Sequence, residues 1–124
     1  MDPAKLGELL YAALEAHRPA AYSERALCDG IERAILGLGL TFEREFALNG
    51  RDRPDFVVGR APVIAIEVKI KGSLAELMRQ VARYAEAPDV SGILVLTTRS
   101  AHAGLPGTIL GKPVAVKLLS PLYL

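Results

Sequence analysis

The chain has 124 residues, with 15 Lys+Arg against 14 Asp+Glu, a formal charge of +1, 51% apolar and 23% charged side chains. That composition is globular and excludes a disordered tail, and the length holds one core rather than two full domains. The charge balance excludes a wholly basic, histone-like binder, and the single Cys28 excludes a disulfide framework or a cysteine-built zinc or iron–sulfur site within the chain.

Asp2-Pro3 reads as an N-cap followed by proline at the first helical position. Leu6, Leu9, Leu10, Ala13 and Leu14 recur at helical spacing and predict a helix ending near His17, which would stand as a cation at its C-terminus. Ser23 is the next N-cap candidate, with Tyr22 and Leu27 placed as a hydrophobic staple. Leu27, Cys28, Ile31, Ile35 and Leu38 make the inner face of a second helix, which Gly37 and Gly39 end. Cys28 fits a core position. Gly37-Leu38-Gly39 follows no strand and lacks a third glycine, which argues against a dinucleotide site.

Residues 42–48 predict a strand, 49–53 a hairpin turn and 54–58 a second strand. Residues 59–62 turn again, and 63–70 form a third strand. It is apolar almost throughout, as a central strand covered on both faces is. Ser73 and Glu76 have capping-box spacing at the head of a third helix, whose apolar face is Leu74, Leu77, Met78, Val81 and Tyr84, with Pro88 beyond its end. Residues 92–98 form a fourth strand, 99–112 a loop and 114–119 a fifth strand. The reading is an α/β domain spanning 1–124: a mixed central sheet flanked by helices. An N-terminal helix occupies 1–20, a core 21–98, and a loop with a final strand 99–124.

The first residues lack the layout of a signal peptide. The apolar runs at 63–66 and 93–96 are too short to span a bilayer. The expectation is a soluble, cytoplasmic protein with no membrane partner.

The chemistry concentrates on the third strand. Glu67 and Lys69 are two apart, so their side chains emerge on one face, while Ile66, Val68 and Ile70 point to the other. A hairpin would fold Asp55 back toward the same strand end. Asp55 and Glu67 then supply hard oxygen ligands for Mg²⁺ or Mn²⁺, with the Val68 carbonyl as a further ligand. Lys69 would position a water and stabilise charge on a phosphate. Taken singly, each residue also has an ordinary explanation. Asp55 is a turn carboxylate, Glu67 and Lys69 an ion pair, and Tyr84 a core aromatic.

Pro54-Asp55, eleven residues, then Glu67-Val68-Lys69 resembles the signature of the PD-(D/E)XK nuclease superfamily. Gln80-Val81-Ala82-Arg83-Tyr84 is similar to the Q-x-x-x-Y helix of its RecB-like branch, and i, i+4 spacing puts Gln80 and Tyr84 on one face. The resemblance covers roughly residues 23–98. It implies a restriction-endonuclease-like αβββαβ core and a Mg²⁺-dependent DNA (endo)nuclease, with catalytic residues Asp55, Glu67, Lys69, Glu24 and Gln80. Glu24 is the expected acid of the preceding helix, with Glu32 as second choice. DNA contacts fall to Lys71, Tyr84, Arg53 and Arg83, with Arg51 and Arg79 on the same basic rim. His102 is expected to be an exposed loop residue rather than a catalytic base. So small a domain implies a homodimer or a subunit of a larger complex. The alternative is a catalytically silent module of the same fold that binds DNA or a protein partner.

Overall fold

A computed structural model describes residues 1–17 and 23–119. The reading of Tyr22 as a staple and of the His17 side chain as a terminal cation lies outside them. The elements in chain order are α1 (Pro3–His17), α2 (Glu24–Gly37), β1 (Phe42–Arg44), β2 (Phe56–Val58), β3 (Val63–Lys69), α3 (Leu74–Ala85), β4 (Val90–Thr97), β5 (Thr108–Ile109) and β6 (Lys112–Leu118), with a 3₁₀ turn at Ser100–Gly104.

All three N-caps read from the sequence are made. Asp2 Oδ1 accepts from Lys5 N–H at 2.8 Å, and Ser23 Oγ from Ala26 N–H at 3.1 Å. Each satisfies an N–H that the first helical turn leaves without a backbone partner. Ser73 does the same for Glu76 N–H at 3.1 Å. Gly39, at φ +71, takes the chain out of α2 through a conformation that glycine adopts without strain.

The sheet has the order β1-β2-β3-β4-β6-β5. The β1-β2 and β2-β3 pairs are antiparallel, β3-β4 and β4-β6 parallel, and β5-β6 antiparallel. This is the mixed sheet the sequence implies. Its central strands divide their side chains between two cores. Leu6, Leu10 and Leu14 of α1 and Leu27, Ile31 and Ile35 of α2 pack with Ile64, Ile66 and Val68 of β3 on one face. Leu77, Val81 and Tyr84 of α3 pack with Val63 and Ala65 on the other. The α1 helix comes close because β4 carries Gly92. A Cβ there would stand 2.6 Å from Pro3 Cγ.

Four readings change. The strand expected over 42–48 ends at Arg44, because Glu45 turns to φ +55 and breaks the extended run. Phe46 is consequently 40% exposed rather than aligned with Phe42. Residues 49–53 form a turn, and β1 and β2 pair antiparallel as expected, but the turn is the tip of a longer loop, 45–55, rather than a tight connection between the strands. Residues 99–112 contain the 3₁₀ turn and β5. His102 is fully buried there, not exposed. Its Nε2–H donates to Gly72 O at 2.9 Å, which leaves Nδ1 to accept from the Thr97 hydroxyl at 2.7 Å. Among the described residues no helix is long and apolar enough to cross a membrane.

Candidate metal centre

The site forms where β2 is too short. Phe56, the first residue of β2, pairs with Ile66 of β3. Beyond that point the edge of β3 has no strand beside it, and Val68 N–H would be left without a ladder partner. The Asp55 carboxylate takes it instead, with Oδ2 accepting from Val68 N–H at 2.7 Å. The N–H and C=O of one strand residue project to the same edge, so the Val68 carbonyl also faces this gap. Asp55 is thus anchored by the backbone it was expected to fold back upon.

Glu67 enters from the α3 face of β3 and is 4% exposed. Its two oxygens have different partners. Tyr84 O–H donates to Oε1 at 2.8 Å, and Lys69 Nζ stands 3.1 Å from Oε2. Glu24 comes from the first turn of α2, on the opposite side of the sheet. One carboxylate oxygen each from Glu24, Asp55 and Glu67 lie within 4.8 Å of one another. Glu32, the second-choice acid, faces Arg44 at 3.9 Å instead.

The electrostatics follow from this crowding. Burial and the Asp55 charge push the Glu67 carboxyl up to about 7, against the opposing pull of Lys69 and Tyr84. Asp55 is raised by burial, although Val68 N–H and Lys69 oppose the shift. Glu24 is raised by burial and by Asp55, with Lys69 and Lys71 opposing. For Lys69, burial alone would favour the neutral amine. Its attraction and hydrogen bond to Glu67, helped by Glu24 and Asp55, outweigh burial and hold the ammonium above its ordinary value. Three converging carboxylates therefore face one ammonium in contact. With all three ionised, the excess negative charge needs protons or a further cation to offset it. A hard divalent ion bound through oxygen suits that donor set.

Cys28 lines the Glu24–Asp55 side of the site, and burial pushes its thiol up to about 12, which makes it inert core rather than a ligand.

The other expected residues divide. Lys69, Lys71, Gln80 and Arg83 line one cavity of about 250 Å³ beside the carboxylates, and Lys71 is exposed there. Gln80 stands one helical turn before Tyr84 on α3. Tyr84 itself is 1% exposed with its hydroxyl on Glu67, so where it stands it holds the site from behind and cannot reach DNA. Arg53 is exposed, with Nη1 on Glu45 O at 3.2 Å. Arg83 Nε is committed to Asp52 Oδ1 at 2.9 Å. Arg51 and Arg79 are exposed. Sequence reasoning passed over Asp52, whose position in a polar turn gives no sign of its 8% exposure. No protein-family model, curated protein or solved structure matches the chain.

Proposed function

We propose that this protein is a Mg²⁺-dependent DNA nuclease with a restriction-endonuclease-like core. The observation that carries the reading is the convergence of Glu24 from α2, Asp55 from the 45–55 loop and Glu67 from β3, with Lys69 on Glu67. A structural ion pair needs only Glu67 and Lys69. It gives no reason to bring Glu24 across the sheet end to two further carboxylates, each raised by burial.

In this reading Glu24, Asp55 and Glu67 hold the ion, with the Val68 carbonyl facing the same gap. Mg²⁺ or Mn²⁺, when bound, would polarise a phosphodiester oxygen and lower the pKa of a water. Asp55 is kept in place by Val68 N–H, and Glu67 by Tyr84 O–H. The Lys69 ammonium remains charged and sits where a water or a phosphate oxygen beside Glu67 would meet it, so it orients the attacking water and stabilises charge on phosphorus. Lys71 and Gln80 line the cavity next to Lys69, where they would meet the neighbouring backbone phosphate. The water oxygen would bond to phosphorus as the P–O bond to one sugar oxygen breaks, giving a phosphomonoester and a sugar hydroxyl, with the proton lost by the water balanced by one taken up from solvent by the leaving oxygen.

The experiment is cleavage of linear, nicked, branched and single-stranded DNA with Mg²⁺ or Mn²⁺. The expected result is cutting that is lost in Asp55→Ala and Lys69→Ala. Cutting by both variants at the wild-type rate would overturn the assignment.

A further inference from the structure

The loop at residues 45–55 carries Asp55 but has no regular structure, so something must hold it. Its internal bonds are few. Glu45 N–H donates to Asp55 O at 2.9 Å, and Leu48 N–H to Asp52 O at 2.9 Å. Asn49 Oδ1 accepts from Arg51 N–H and Asp52 N–H, both at 2.8 Å, which shapes the tip. None of these bonds joins the loop to the rest of the molecule.

Two side chains make that connection: Asp55 holds the end of the loop to β3 through Val68 N–H, and the tip is held by Asp52. Its carboxylate is turned inward at 8% exposure. Oδ1 accepts from Arg83 Nε at 2.9 Å, and Oδ2 from Asn49 Nδ2 at 3.1 Å. Arg83 lies on α3 between Gln80 and Tyr84, so the loop bearing one metal-site carboxylate is fastened to the helix whose tyrosine holds another. A charged, well-directed hydrogen bond between partly buried groups is stronger than an exposed ion pair and fixes orientation.

We infer that Asp52 and Arg83 are positioning residues: their contact, acting with the Asp55–Val68 bond, keeps the loop at the height that sets Asp55 against Glu67, and through it the affinity of the centre for its cation. This rests on the metal-site reading above. It also gives Arg83 a different task from the DNA contact expected of it, since its Nε is spent on Asp52. Supporting partners outside the ligand set commonly change metal affinity by roughly 10–100-fold when removed.

The test is calorimetric titration of Mn²⁺ into the metal-free full chain, with Asp55→Ala as the control that abolishes the site. Asp52→Asn and Arg83→Gln should each weaken Mn²⁺ binding about tenfold. The double variant should be no weaker than either alone, because both changes break one contact. Arg83→Lys, which keeps the charge but loses the directed Nε–H, should fall between. It also serves if the other variants prove unfolded by circular dichroism. Amide exchange over 45–55 should quicken in the variants, while that of β4 stays as in wild type. Folded variants that bind Mn²⁺ within twofold of wild type would overturn the inference and leave the nuclease reading standing. A wild-type chain that binds no Mn²⁺ would overturn both.

Discussion

The Tyr84 hydroxyl donates to Glu67 Oε1 at 2.8 Å across the α3–β3 interface, with both side chains almost wholly shielded from water. Lys69 occupies the other oxygen. The phenol and the ammonium between them therefore fix which way a buried carboxylate faces. In turn, the neighbouring Glu67 charge adds to burial in holding the Tyr84 hydroxyl protonated, well above its ordinary range.

Tyr84→Phe keeps the ring and removes only that donor. The ionised Glu67 then lacks a charge-assisted hydrogen bond of about 1.5–3 kcal/mol. The expected outcome is a loss of that order in unfolding free energy at pH 8, and a smaller loss at pH 5, where Glu67 is protonated. Mn²⁺ affinity should drop roughly tenfold, since Glu67 loses the group that orients it. Urea denaturation at the two pH values, with metal titration at pH 8, checks both. Equal losses at both pH values would show that the hydrogen bond acts independently of the Glu67 charge.

The same carboxylate makes stability depend on pH in a direction opposite to the usual one for acids. Glu67 is raised from 4.5 to about 7 in the folded protein. A raised group stabilises the fold fully below its unfolded pKa and loses that contribution as pH rises through the folded value. Asp55 and Glu24 shift the same way. With metal chelated, the unfolding free energy should therefore fall between pH 5 and pH 8, by on the order of 1–3 kcal/mol. With saturating Mg²⁺ or Mn²⁺ the trend should flatten or reverse, because the ion binds the deprotonated ligands. Thermal melts in EDTA and in Mg²⁺ across this range decide it. Chelated protein that grows more stable toward pH 8 would contradict the grouping of the three acids.

Much of this could be read from the residues, and the failures have physical causes. Glu67 and Lys69 were legible because strand periodicity puts i and i+2 on one face. Glu24 was legible because it shares the α2 face with Leu27, Ile31 and Ile35. The end of β1 was not, because Glu45 carries a positive φ that its residue type does not announce. Nor was the burial of Asp52, since a turn aspartate usually faces water and only α3 brings Arg83 to it. His102 misled in the same way: its neighbours are the small and polar residues of a surface loop. Its two partners, Gly72 and Thr97, come from segments that meet only when β3 and β4 pair in parallel.

Lys69 separates binding from chemistry. It contacts Glu67 through Oε2, so its loss removes an attraction that offsets carboxylate repulsion. A bound divalent ion supplies the same offset. Lys69→Met should therefore leave Mn²⁺ affinity within a few-fold of wild type. If the nuclease reading holds, it should lower the cleavage rate by roughly 10²–10³, the scale for removing one directed donor to developing charge. Metal titration and single-turnover cleavage on the same preparation give the two numbers. A variant that loses affinity but cleaves normally at saturating metal would make Lys69 a structural partner of Glu67 only.

His102 supplies the opposite profile. Its Nε2–H holds the Gly72 carbonyl just ahead of the α3 cap, and its Nδ1 holds Thr97 at the end of β4, where Thr97 lies beside Lys69 in the parallel ladder. Thr97 Oγ1 also accepts from Arg99 N–H at 3.0 Å, so the hydroxyl needs Nδ1 as the acceptor for its own proton. His102→Ala leaves the buried Thr97 hydroxyl without its acceptor, frees the Gly72 carbonyl and opens a cavity, which together should cost about 2–4 kcal/mol. Asp55 lies at the β2 edge of β3, away from Thr97 on β4, and both it and Glu67 keep their own anchors, Val68 N–H and Tyr84 O–H. Mn²⁺ affinity, measured well below the lowered melting temperature, should therefore stay within a few-fold of wild type. Thr97→Val removes the Nδ1 contact and the acceptor of Arg99 N–H but opens no cavity, and should cost about 1–3 kcal/mol. Denaturant titration of both variants alongside metal calorimetry checks the pair. If His102→Ala weakened metal binding as strongly as Asp52→Asn, the two clamps would act through one rigid unit, and the local role assigned to the Asp52–Arg83 contact would be lost.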